Sequence, residues 1–276
     1  MTQKGNWLAT QSRPDLACQV SVAQQAMPAP TLGHIRLANA LVRRAQQFSE
    51  VAITFHSIPV DELRFVLHTD YSSKDRDGTG CTQGGYLIGA TTSGLSRGEE
   101  VPYGALVWRS YKLRRACAST LAGEAQVLSA GLGHLEWYSC FFCAAVFPTY
   151  VLEDRGEYMK LLDLQAVIDC KSVFDHITKA GAPSGIADKR CSIDMAIIRQ
   201  CLTRMACTLR WAPTGLQLAD ALTKESPEAA DLLRAVLKFG KYQLAGEAKF
   251  LERALEEKIE KEKRKAKYVS NSTFTG

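Results

Sequence analysis

No long apolar run exists in this 276-residue sequence. The longest, Cys140 to Phe147, is eight residues and stops at Pro148, whereas crossing a bilayer takes about 20. No membrane span and no membrane partner are therefore expected. The N-terminus, Met-Thr-Gln-Lys-Gly-Asn-Trp, lacks the apolar stretch of a secretory leader. The expectation is an intracellular chain, cytoplasmic or nuclear and not secreted, in a reducing compartment where the nine cysteines act as small buried hydrophobes rather than staples. Charge of one sign is also scarce. With 34 basic against 29 acidic residues the net charge is +5, too mild to mark a nucleic-acid binder by itself. Hydrophobic and charged fractions of 46% and 23% exclude wholesale disorder and fibrous classes.

Three regions separate along the chain. Residues 1 to 58 carry helical apolar spacing around Leu32, Ile35, Leu37, Leu41 and Val42, interrupted by Pro14, Pro28 and Pro30; they predict short helices appended to a larger domain. Residues 59 to 225 form that domain. Leu63 to Asp70, Gly84 to Gly89 and Ala105 to Tyr111 predict three antiparallel strands joined by turns. Ser119 is a plausible cap for a long helix through Trp137. The mostly apolar Leu161 to Ile168 suits a strand buried on both faces. Helices over about 171–180 and 188–205, a strand Thr208–Trp211 and a last helix near Leu216 complete the order βββαβαβα. That order predicts an α/β fold with a mixed five-stranded sheet flanked by helices. Residues 226 to 276 open on Ser-Pro-Glu, with Gly240 as a candidate helix stop. They end in an alternating Glu/Lys/Arg stretch read as a solvated charged helix.

Four acids lie at predicted element ends: Asp70 at the end of the first strand, Glu124 early in the long helix, Asp169 after the fourth strand, Asp220 at the opening of the last helix. If the first and fourth strands are parallel neighbours, Asp70 and Asp169 stand together at their carboxyl ends, where open α/β sheets place their sites. Four carboxylates gathered there require cations, and an all-oxygen set suits Mg²⁺ or Mn²⁺. Two such ions about 4 Å apart can activate a water and stabilise the leaving oxygen of a phosphodiester. Any one of these acids alone reads as an ordinary cap or surface charge; the joint placement carries the reading. From Trp108 to Arg115 the chain reads W-R-S-Y-K-L-R-R, a basic and aromatic edge suited to phosphate contact.

These residues resemble the ribonuclease H domain at the end of the pol region of copia-type LTR retrotransposons. His68-Thr-Asp70-Tyr-Ser is similar to the family's Y-S-D-A-D-W, Gln83-Gly-Gly-Tyr86 to its S-G-Y, and Ser119 to Ser129 to its S-S-T-E-A-E-Y-M-A-L-S, with the catalytic glutamate falling on Glu124. Ile168-Asp169-Cys-Lys-Ser172 resembles C-D-N-Q-S, and Lys189-Arg-Cys-Ser-Ile-Asp194 echoes R-T-K-H-I-D. The most specific match is Trp211 to Lys224 against P-T-x-x-Q-L-A-D-x-L-T-K. Upstream, Trp7-Leu-Ala-Thr-Gln-Ser-Arg-Pro-Asp-Leu resembles Y-L-A-x-T-R-P-D-I, the segment that follows the polymerase palm in the same polyprotein, so residues 1 to 58 correspond to thumb or connection helices of a reverse transcriptase. The polymerase motif Y-x-D-D does not occur, and no DNA synthesis is expected.

The resemblance implies a ribonuclease H-like fold with helical N- and C-terminal extensions. It also implies endonucleolytic cleavage of the RNA strand of an RNA/DNA hybrid, with Asp70, Glu124, Asp169 and Asp220 as catalytic residues and ligands of two Mg²⁺ or Mn²⁺ ions. Arg109, Lys112, Arg114 and Arg115 are candidates for the DNA-strand contact, with Lys189 and Arg190 as a second patch. The polymerase portion of the same polyprotein is a candidate partner. The sequence departs from the family at Ser72, Cys170 and Lys171, none of them an expected metal ligand. Arg210 stands where cellular relatives carry a mobile histidine. Two alternatives stand against this reading. A catalytically inactive or co-opted nucleic-acid-binding remnant is disfavoured by the intact quartet of acids, and a DDE integrase by the position of the glutamate, second of four rather than last. Cys140 and Cys143 have metal spacing without a second pair and read as packing. Gly84, Gly85 and Gly89 read as close strand packing rather than a dinucleotide fingerprint, and Trp137 and Tyr138 as core or rim.

Overall fold

A computed structural model describes residues 2–25, 29–74, 82–179, 186–226 and 228–245. Three helices come first, α1 (Thr2–Gln11), α2 (Ala17–Gln25) and α3 (Leu32–Gln47). Strands β1 (Arg64–Ser72), β2 (Gln83–Thr91), β3 (Glu100–Pro102) and β4 (Gly104–Lys112) lead into the long α4 (Thr120–Val146) and short α5 (Arg155–Met159). Then follow β5 (Gln165–Ile168), α6 (Lys171–Thr178), α7 (Lys189–Arg204), β6 (Thr208–Trp211), α8 (Asp231–Phe239) and β7 (Lys241–Gln243). The main sheet has the order β4-β2-β1-β5-β6, with β4, β2 and β1 antiparallel and β1, β5 and β6 parallel. This is the mixed five-stranded α/β arrangement expected from the sequence. Among the described residues no helix is long and apolar enough to cross a membrane.

Strand alternation sends successive side chains to opposite faces, and each face has its own core. On one side Phe65, Leu67, Ile88, Ala166 and Ile168 pack beneath α4 and α7, against Leu128, Leu132, Leu135 and Ile198. On the other, Val66, Leu87, Ala105 and Val167 meet Ala219, Leu222, Leu233 and Val236. The adjacent glycines of β2 let both layers approach. A Cβ on Gly84 would stand 2.6 Å from Val127 Cγ2 of α4, and one on Gly85 2.4 Å from Leu222 Cβ on the opposite face. They are a packing device, as expected.

Several local expectations hold in detail. Ser119 caps α4 by accepting from Ala122 N at 3.2 Å. Gly240 closes α8 in the left-handed region, φ 61°, the conformation glycine adopts without a Cβ penalty. Cys143 is buried in the first core, Cys140 packs at its edge, and no disulfide joins the described cysteines.

Other expectations require correction. The last helix near Leu216 is instead two 3₁₀ turns, Thr214–Leu216 and Leu218–Leu222. Pro213 lacks a backbone N–H, and the Gln217 side chain accepts from Ala219 N at 3.2 Å, so an α-helical ladder gives way to tight turns. Trp137 belongs to neither core nor rim: it is 66% exposed on the outer side of α4, stacked on Phe141. Its neighbour Tyr138 does pack edge-on against Phe65 at 5.3 Å. A small second sheet, β3 with β7, has no counterpart in the sequence expectations. The charged tail beyond residue 245 lies outside the described residues.

The N-terminal helices dock on the main sheet. At the α1–α2 corner Arg13 makes a buried bidentate pair with Asp15, 2.7 and 2.8 Å, a planar fork on a carboxylate. Trp108 Nε1 of β4 donates to Ala9 O at 2.7 Å. Buried Gln83 of β2 donates to Ser21 Oγ of α2 at 2.9 Å.

Candidate metal centre

The parallel register His68↔Val167 ends the β1–β5 ladder. Asp70 and Asp169 follow two residues later on each chain, side by side where the two strands splay apart. The β1–β2 pairing continues past this point, with Asp70 opposite Gly85. Asp70 therefore sits inside β1 rather than at its end, held from one side and open on the other. Asp220 arrives on the Leu218–Leu222 turn, which lies against Gly85.

Carboxylate oxygens of Asp70, Asp169 and Asp220 all lie within 4.8 Å of one another. Glu124, in the first turns of α4, does not fall within that distance of all three. It is buried nonetheless, and burial followed by the charges of Asp70 and Asp169 raises its carboxyl well above the ordinary range. Burial is also the first cause of the upward shifts of Asp70 and Asp220; for Asp70 the neighbouring Asp220 and Asp169 add to it. These are the signs expected for like charges confined away from water. The structure brings together three of the four acids singled out from the sequence; Glu124 stands outside that group, with its carboxyl raised in part by the charges of Asp70 and Asp169.

Partners in the site were not among the sequence candidates. Lys224 Nζ pairs with Asp220 Oδ2 at 2.5 Å, and its charge lowers the proton affinity of Asp70 and Glu124. The Thr223 hydroxyl donates to Asp70 Oδ2, and Thr214 Oγ1 donates to Asp169 Oδ2 at 2.8 Å. Asp220 Oδ1 is buried with no hydrogen-bond partner. A lysine within the cluster and an orphaned carboxylate oxygen both indicate a pocket of excess negative charge. An all-oxygen donor set of this kind fits Mg²⁺ or Mn²⁺.

One buried amide organises the site. Gln217 donates from Nε2 to Thr69 O at 3.1 Å and Val167 O at 3.3 Å, tying the turn to both β1 and β5. Its Oε1 faces Ala219 N and His68 Nδ1, at 3.2 Å each. The His68 ring is buried between the Tyr103 and Tyr242 rings, and burial pushes its pKa down to about 3. A neutral imidazole carrying its proton on Nδ1 satisfies the Gln217 oxygen. The Gln-Leu-Ala-Asp order of the sequence contained this signal, since a polar residue three before Asp220 can cap the turn that presents it.

The basic candidates do not form one stripe. Arg109 lies over the Tyr111 ring, 5.2 Å from its centroid, while Lys112 falls on the alternate side of β4. Arg114 is exposed in the following turn. Arg115 bridges Asp194 Oδ2 of α7 at 2.8 Å and Gln126 of α4 at 3.2 Å. Lys189 and Arg190 are exposed at the start of α7. Arg210 is buried in β6 and donates to Leu95 O and Gln165 Oε1 at 2.9 and 3.0 Å, so it serves packing between the sheet and the 93–97 turn. His134 stacks on Tyr86.

No family model matches the sequence, and no curated protein matches it. Among solved structures, the chain is similar to the N-terminal RNase H domain of a Mycobacterium tuberculosis protein at 15% identity and TM-score 0.36, covering 63% of this chain and 96% of that one. It is likewise similar to RNase H1 of Halobacterium salinarum at 15% identity and TM-score 0.36, covering 58% and 93%. The fold reading rests on the sheet order and register themselves.

Proposed function

We propose that this chain is a metal-dependent ribonuclease H-type endoribonuclease that cuts the RNA strand of RNA/DNA hybrids, derived from a copia-type retrotransposon pol polyprotein. One observation carries the reading: three aspartates from three separate elements converge within 4.8 Å, an arrangement unfavourable without a divalent cation. Asp70, Asp169 and Asp220 would hold the metal, with Glu124 completing the set from α4. Two bound Mg²⁺ or Mn²⁺ ions would supply an activated water and neutralise charge on the phosphodiester.

The protein's own residues do the positioning. Gln217 fixes the Asp220 turn against Thr69 of β1 and Val167 of β5. Thr223 and Thr214 orient the Asp70 and Asp169 carboxylates. Lys224 offsets part of the negative charge at the rim. Arg109, Lys112, Arg114, Arg115, Lys189 and Arg190 supply backbone-directed contacts, which are insensitive to sequence and weakened by salt. Discrimination of the hybrid requires sensing 2′-hydroxyls on one strand. A polymerase portion of the same polyprotein is the proposed partner, in an intracellular setting.

The test is cleavage of an end-labelled RNA/DNA hybrid in Mg²⁺ by wild type, Asp70→Asn and Glu124→Gln. Wild type should cut only the RNA strand, and both variants should lose most of the activity. Equal cutting by all three refutes the assignment of these acids; cutting by none supports the inactive remnant instead.

A further inference from the structure

We propose that α1, α2 and the edge strand β4 together form a groove that seats one sugar-phosphate strand beside the carboxylate cluster, making the N-terminal helices part of the substrate surface. This inference rests on the hybrid-cleavage reading. The groove has a volume of about 440 Å³. Asn6 and Thr10 of α1 and Ser21 and Gln24 of α2 line its helical wall; Lys112 borders it on the strand side, while the Arg109 guanidinium lies over Tyr111 on the opposite face of β4. No acidic side chain is among its lining residues.

The groove is built rather than incidental. Behind its lining residues Ser21, Gln25 and Ser110 stands the buried Gln83, which donates to Ser21 Oγ at 2.9 Å and Ser110 Oγ at 2.7 Å and accepts from Gln25 Nε2 at 2.9 Å. That network joins α2, β2 and β4 with every amide atom used, which fixes the two walls relative to each other. Ser110 in turn donates to Leu222 O at 2.5 Å, two residues from Asp220. The ladder places Asp70, Gly85 and Ser110 in one row across β1, β2 and β4. Two strand spacings, about 10 Å, separate the groove from the acids. Leu222 of the 218–222 turn covers Gly85 in the middle of that row, so the strand seated in the groove lies beyond the turn from the acids, within the span of one duplex.

The lining chemistry favours a sugar-phosphate backbone over a peptide. Amide and hydroxyl groups beside the Lys112 ammonium are the groups that contact phosphate and sugar, whereas strand-like peptide recognition uses alternating side-chain pockets.

The experiment measures fluorescence anisotropy of a labelled RNA/DNA hybrid in Mg²⁺, on an Asp70→Asn background that prevents cutting. Adding Thr10→Glu and Gln24→Glu, one carboxylate on each helix, should weaken binding about tenfold or more through like-charge repulsion, with a shallower salt dependence between about 50 and 200 mM. Gln47→Glu on α3, the same charge change away from the groove, should leave affinity at the parent value. Should the double variant fail to fold by circular dichroism, Lys112→Gln serves instead, with the salt slope expected to fall by about one. Parent-like binding by the groove variants overturns the groove while leaving the cleavage reading intact. A parent that neither binds the hybrid nor, with Asp70 restored, cuts it sinks both. Polyglutamate competing as well as unlabelled hybrid refutes the strand assignment.

Discussion

Replacing Asp70 with Asn should stabilise the protein when no divalent cation is present. The side chain keeps its shape, and an amide oxygen can still accept from the Thr223 hydroxyl, so the change is chiefly one of charge. Carboxylate oxygens within 4.8 Å at an effective dielectric near 20 repel by about 3.5 kcal/mol per pair. Asp70 faces two such partners and one countercharge, Lys224. The net repulsion is therefore about 3 kcal/mol before relaxation, and a gain of about 1–3 kcal/mol is expected, or about 2–12 °C in Tm at 2–4 °C per kcal/mol for a large chain. The pH dependence follows from linkage. The folded-state carboxyl titrates above its unfolded value of about 3.9, so the folded state binds more protons and stability declines as pH rises from about 4 into the neutral range. The advantage of the variant should be absent at acid pH and full at pH 8. Thermal melts in chelator across pH, repeated with Mn²⁺, are the assay: the ion should raise the wild-type Tm and close the gap, because ligand binding stabilises only the form that holds it. A variant less stable than wild type at pH 8 in chelator would refute the claim that these acids repel one another.

Two further outcomes test the supports of the site. Gln217→Ala should cost about 2–4 kcal/mol in urea unfolding, since Thr69 O, Val167 O, Ala219 N and His68 Nδ1 all lose a buried partner; a loss below 1 kcal/mol would show that water replaces it. Gly85→Ala should push the Asp220 turn outward, because the new Cβ would meet Leu222 Cβ at 2.4 Å. A cost of about 1–3 kcal/mol together with weaker Mn²⁺ binding by calorimetry is the expected pair of results, and unchanged metal affinity would argue that the turn yields without moving Asp220.

Much of the fold was legible because its signals are local. Ser119 before an apolar helical pattern and Gly240 after one each encode an element boundary within a few residues and act as expected; the apolar run from Leu161 does so only in its second half, since Lys160–Leu162 is a 3₁₀ turn and the strand spans Gln165–Ile168. Glu124, Asp169 and Asp220 stand out for the same reason, each lying near an element boundary, whereas Asp70 lies inside β1, which pairs with β2 as far as Ser72. Where local and tertiary preferences competed, the local reading failed. Leu216 to Leu222 has helical apolar spacing, yet the turn is held by a Gln217 side chain bound to strands about 50 and 148 residues away. Residue type alone reads Trp137 as core or rim, but only the packing of α4 decides which side of that helix meets the sheet, and it leaves Trp137 66% exposed.

By itself the sequence determined which residues could bear the chemistry, since residue type and spacing fix capping, strand alternation and the placement of acids at element ends. Tertiary structure alone decided that Lys224 enters the carboxylate cluster, that β3 pairs with a strand near the end of the described chain, and that α1 and α2 close a groove over β4. Those contacts join residues far apart in the chain, and their geometry is set by how the layers pack rather than by any local pattern.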